Sequence, residues 1–211
     1  MVPRLVKEYN DANNLKISLT ERNFPSGKPY PWKNDPFDYY NIWVKNAGDS
    51  SFMEEPTLEI LTKQYDIIIF KHCFPVSSIV EDNNNPDVDS EIKTIANYKL
   101  QYDTLKKKLN SFGTKFILWT GAALIKAQTN EGEAERAREF FNWVREEWDT
   151  KGDNIELFDF RNIETEGGLY LKEEYAVDRE KDSHPNIYIS SKAAKLLAKK
   201  IIEVATTESA N

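Results

Sequence analysis

The chain holds two histidines and one cysteine, so proton transfer near neutral pH has few candidate residues. His184 lies in Asp182-Ser183-His184-Pro185-Asn186, a polar stretch expected to form a turn just ahead of the last helix. A histidine there can take a hydroxyl proton as general base when a carboxylate fixes its tautomer and stabilises the imidazolium, and Asp182 is the nearest carboxylate. The other reading is a solvent-facing histidine that caps the helix. His72 follows the apolar run Asp66-Ile67-Ile68-Ile69-Phe70, at the strand end where ligand sites of parallel sheets gather. It is read either as a donor to a developing oxyanion or as a buried ring satisfied by a backbone carbonyl.

The other reactive types offer less. Cys73 stands alone beside an apolar run, which reads as packing, and it leaves neither a disulfide nor a cysteine zinc cage. With so few histidines a metal would need carboxylates. The acidic residues between Glu131 and Glu139 interleave with Arg136 and Arg138 at the spacing of a solvated helix face. No glycine-rich phosphate loop or dinucleotide fingerprint occurs, so the reading is no metal and no cofactor.

The frame that positions these residues shows in the hydrophobic pattern. Arg4 to Ala12 has helical spacing, and Leu15, Ile17 and Leu19 alternate with polar residues as in a half-buried strand. Asn23 to Asp38 is rich in proline and aromatic residues, which predicts a packed loop. A helix is expected over Glu54 to Gln64, with Pro56 in its first turn, and a buried strand over Asp66 to Phe70. Asp82 to Asp89 reads as a surface loop, followed by a helix with Ile92, Ile95, Leu105 and Leu109 in register. Lys115 to Trp119 and Ile155 to Phe160 read as further strands, with helices over Glu133 to Trp148 and Ser190 to Ala205. Strands alternating with helices predict a mainly parallel sheet in a three-layer α/β/α sandwich, flavodoxin-like in outline.

At 211 residues, 40% of them apolar and 12% aromatic, the chain is expected to form one domain spanning 1–211 with a flexible tail over 206–211. A net charge of −7 opposes nonspecific attraction to nucleic acid or to anionic lipid. No run reaches the roughly 20 apolar residues of a membrane span. The expectation is no nucleic acid, no membrane and a small-molecule partner; compartment and oligomeric state stay open.

Asp182-Ser183-His184-Pro185-Asn186, followed by an alanine- and leucine-rich helix, resembles the last conserved block of the SGNH (GDSL-type) ester hydrolases. Asn46-Ala47-Gly48-Asp49-Ser50 resembles that family's second block, and Trp119-Thr120-Gly121 falls where the family has its fourth strand end. The resemblance implies a nucleophilic serine, His184 as base, Asp182 as its orienter, and Gly48 with His72 at the oxyanion hole. There are departures. The family usually places an aspartate where this chain has Lys181, and a glycine and an asparagine where it has Lys71-His72-Cys73-Phe74.

The family opens with a strand ending in its serine, whereas this sequence opens on what resembles the helix after it. The first strand is therefore expected to be missing, and the 211 residues are expected to be inactive by themselves. Gly48-Asp49-Ser50 spells the nucleophile motif on its own, which makes Ser50 a second candidate, although its place in the order suits a loop or helix cap. The implied function is hydrolysis of a small-molecule or carbohydrate ester, including O-deacetylation. The alternative is a noncatalytic SGNH-like binding module.

Overall fold

The computed structural model describes residues 1–207. Helix α1 (Val2–Asn13) carries Pro3 in its first turn, where a missing N–H costs nothing, and closes on Asn14 in the left-handed region. Helix α2 (Pro36–Tyr40) is capped by Asp35 and runs on as a π-helical turn, Asn41–Lys45. The short helix α3 (Leu58–Leu61) leads into strand β1 (Ile67–Lys71). Helix α4 (Ile95–Leu109), strand β2 (Lys115–Trp119), helix α5 (Glu131–Trp143) and strand β3 (Ile155–Phe158) follow. The chain ends with helix α6 (Phe160–Thr165), a hairpin of β4 (Ala176–Asp178) and β5 (Asp182–Pro185), and helix α7 (Ile187–Thr207).

The three strands β1, β2 and β3 form a parallel sheet in that order, with Ile68 opposite Phe116 and Leu118 opposite Leu157. Side chains alternate between its faces. Ile68, Phe70, Phe116, Leu118 and Ile155 pack with Tyr98, Tyr102 and Leu105 of α4 and Phe140 of α5. On the other face Ile117 and Phe158 pack with Ala193, Leu197 and Ile201 of α7. Each fully buried side chain of this kind contributes about 1.5–3 kcal/mol of transfer free energy. The chain is mixed α/β, with a three-stranded parallel sheet and helices.

Several elements differ from expectation. Leu15 to Thr20 forms no strand and belongs to no sheet. The Asn10 side chain takes the place of a strand partner: its Nδ2 donates to the Ile17 carbonyl at 2.8 Å and its Oδ1 accepts the Ile17 N–H at 3.1 Å. The Glu54–Gln64 helix shrinks to one turn because Phe52 and Glu55 bridge through their backbones, with Met53 and Glu54 at positive φ between them. Thr94 caps α4 by accepting the Asn97 N–H, which leaves Ile92 outside the helix and exposed. Asp159 ends β3 early by capping α6, the loop expected up to Asp38 ends in α2, and α7 begins three residues before Ser190. The expected tail lies partly in α7, which holds 206–207; residues 208–211 are outside the described residues.

Candidate functional site

The β4–β5 hairpin brings two of the candidate residues, Asp182 and His184, into direct contact. Asp178 makes its turn by accepting the N–H groups of Glu180 and Lys181 at 2.9 and 3.2 Å. Asn186 closes it by donating its N–H to the Tyr175 carbonyl at 2.7 Å and its side-chain amide to the Glu174 carbonyl at 2.8 Å. Along β5 the strand alternation turns Ser183 inward, where its hydroxyl donates to Gln128 and accepts the Ile125 N–H at 3.1 Å. Asp182 and His184 therefore face outward together. Asp182 Oδ1 lies 2.6 Å from His184 Nδ1 and also accepts the His184 N–H at 2.8 Å. These two bonds hold the Asp182 carboxyl below its ordinary value. The expected turn is thus a strand, and its period of two is what lets a carboxylate two residues away reach the ring.

The His184 side chain is 59% exposed. Its ring meets Phe74 edge-on, with centroids 5.0 Å apart and planes at 83°. With Nδ1 donating to Asp182, Nε2 is left as an acceptor, and among the described residues it has no hydrogen-bond partner. That is the state a general base needs.

His72 follows β1 at the same sheet edge but belongs to the opposite face. Its ring meets Tyr39 at 4.9 Å and Tyr102 at 6.1 Å, both of the α4-side cluster that holds Phe70, whereas Phe74 packs on the α7 side. The ring is buried, its Nε2 is unpartnered, and burial with the nearby Lys93 and Lys71 charges lowers its pKa to about 3. Gly48 and Ser50 lie towards the other end of the sheet. The Gly48 N–H donates to Glu59 at 3.1 Å, Glu59 pairs with Lys108 at the end of α4, and Asp49 pairs with Lys63 at 2.6 Å. These partners sit just ahead of β1 and β2, so the structure brings Asp182 and His184 together and leaves Gly48, Ser50 and His72 elsewhere.

Two buried polar groups went unforeseen. Beside β1, Asp35 and Asp38 form a capping box: Asp35 accepts the Phe37 N–H at 3.0 Å, and Asp38 accepts those of Lys33 and Asn34. Burial, then the Asp35 charge, raises Asp38 to about 6. The signal was present in Asp35-Pro36-Phe37-Asp38, an acidic cap followed by proline and a second acid three residues on. The other group follows the strand ends. Arg161 is buried over the Phe141 ring and donates to the Ser77 hydroxyl at 2.9 Å and the Leu169 carbonyl at 3.1 Å, while Ser77 donates to the Ala122 carbonyl at 2.7 Å. Burial lowers Arg161 to about 10. Glu164 accepts the Ala123 N–H through one oxygen; its other oxygen is buried without a partner, and burial raises it to about 8.

Among the described residues no group of three or more histidine, cysteine or acidic side chains is placed to hold a metal ion, and no helix is long and apolar enough to cross a membrane. No protein-family model, curated protein or solved structure matches this chain.

Proposed function

We propose that the His184–Asp182 pair is the acid–base element of an SGNH-type ester hydrolase acting on a small-molecule or carbohydrate ester. The observation that carries this reading is the 2.6 Å contact between His184 Nδ1 and Asp182 Oδ1, with Nε2 unpartnered. His184 takes the proton of the attacking hydroxyl, and Asp182 keeps the ring in the Nδ1–H tautomer and stabilises the imidazolium. The proton returns from His184 to the leaving alkoxide. The parallel sheet supports the finer architecture that goes with this function, a three-layer α/β/α sandwich.

A specific observation favours a second reading, a noncatalytic SGNH-like binding module. Among the described residues no serine or threonine hydroxyl bonds to His184, and the Gly48 N–H is taken by Glu59.

Hydrolysis of nitrophenyl acetate and of acetylated sugars separates the two. Under the hydrolase reading the 211 residues by themselves are nearly inactive, with a residual turnover several powers of ten below that of a complete serine triad. Turnover is lost in His184→Ala, falls about tenfold or more in Asp182→Asn and survives in Ser50→Ala. Turnover indifferent to His184→Ala removes the hydrolase reading, and binding of an acetylated sugar that is unchanged in His184→Ala, with no residual turnover, favours the module.

A further inference from the structure

Asp182 and His184 share one strand of a hairpin, so the bond between them is blind to where the hairpin stands over the parallel sheet. The position of the base relative to the end of β1 must be set by something outside the hairpin. Phe74 is the ring that meets His184, and it comes from the segment that leaves β1.

That segment is held at nearly every residue. The Tyr39 hydroxyl donates to the Lys71 carbonyl at 2.8 Å, and the Cys73 N–H donates to Asn34 Oδ1 at 2.9 Å. Lys93 donates to the Pro75 carbonyl at 3.1 Å and Tyr98 to the Val76 carbonyl at 3.2 Å. Arg161 holds Ser77. Pro75 fixes φ in the first turn of the 3-10 helix Phe74–Ser77, which removes most of the remaining backbone freedom. Phe74 is therefore a ring on a rigid mount, whereas His184 is a largely exposed side chain with one polar anchor.

We infer that Phe74 is a positioning residue: its edge-on contact holds the His184 ring in one rotamer and thereby sets where Nε2 stands relative to the C-terminal end of β1. The inference rests on His184 being the base, but the geometry it asserts is measurable without turnover. An exposed histidine held only through Nδ1 keeps other rotamers about Cα–Cβ within reach, because water can replace that one hydrogen bond. The edge-on Phe74 ring adds a contact that water does not replace, and it favours the observed rotamer over the others.

The test compares wild type with Phe74→Leu, which keeps an apolar side chain, and Phe74→Tyr, which keeps the ring. Three-bond couplings across the His184 Cα–Cβ bond are read by NMR, with the backbone amide spectrum as the check on fold. The wild type and Phe74→Tyr give couplings of a single rotamer, and Phe74→Leu gives averaged couplings. In the esterase assay Phe74→Leu lowers kcat about tenfold with little change in KM, as a misplaced base would. Couplings in Phe74→Leu equal to wild type overturn the inference. Absence of His184-dependent turnover in wild type removes the hydrolase reading alone, because the couplings still decide whether Phe74 holds the ring. Should Phe74→Leu fail to fold, Phe74→Met is read in the same way.

Discussion

The Tyr39 hydroxyl stands where a neighbouring strand would be, donating to the Lys71 carbonyl at 2.8 Å and accepting the Lys71 N–H at 3.3 Å. One side chain thus satisfies both outward-pointing backbone groups at the end of an edge strand. Tyr39→Phe keeps the ring packing against Trp43 and Phe70, at 4.6 and 5.1 Å, but leaves those two groups unpaired. The expected cost is about 1–3 kcal/mol, read as a lower denaturant midpoint with an unchanged slope.

Gly121 follows β2 at a point of close approach. A Cβ there would lie 2.4 Å from Val76 Cγ1 and 2.5 Å from Phe141 Cζ, both in the buried core. Gly121→Ala is expected to destabilise by about 1–3 kcal/mol through overpacking. Pairing it with Val76→Ala relieves one of the two contacts, so the double mutant should lose less than the sum of the single losses, which denaturant titration of all three variants measures.

His72 couples stability to acid. Its pKa is lowered from the ordinary 6.5 to about 3, so the unfolded chain takes up a proton that the fold refuses. The contribution is fully present above pH 6.5 and is lost as pH falls towards 3, at about 1.4 kcal/mol per pH unit where the two states differ by one proton. His72→Phe removes this dependence. Its stability relative to wild type should rise steadily as pH falls from 6.5, measured by urea unfolding at each pH.

Glu164 acts in the opposite sense. Its pKa is raised from 4.5 to about 8, so the fold keeps a proton that the unfolded chain releases. Its stabilising contribution is present below pH 4.5 and is lost as pH rises through about 8. Glu164→Gln, an isostere of the protonated acid, should gain relative to wild type by a few kcal/mol between those limits. Thermal or denaturant unfolding at pH 5 and at pH 9 checks the sign (from about 4.5 to about 8 the difference grows).

Much of the sheet is legible in the sequence. Lys115 to Trp119 lies in its expected place because a continuous apolar run between a helix stop and a glycine has few alternatives, and the Asp66 run needed only a shift of one residue. Leu15 to Thr20 shows where the pattern stops being informative. Alternation says which face is buried but not whether a partner strand is there, and Asn10 satisfies Ile17 instead. At the site, the Asp182–His184 pair could be named from type and spacing, yet its geometry depended on residues forming a strand instead of a turn. Glu164 and Arg161 left no local trace. Both lie on an ordinary-looking charged stretch, and only the meeting of three distant segments buries them.

The bonds from Arg161 to Ser77 and Leu169, and from Ser77 to Ala122, join segments that leave β1, β2 and β3. In hydrogen-exchange terms the C-terminal rim is expected to open as one cooperative unit. The Arg161 N–H is bonded to the Thr120 hydroxyl at 2.9 Å and the Ala123 N–H to Glu164, so neither amide reaches solvent until the shared network lets go. Their protection factors should therefore move together under mild denaturant, while the hairpin that carries His184, joined to the segment after β2 through Ser183 and Gln128 and not through Arg161, should exchange faster.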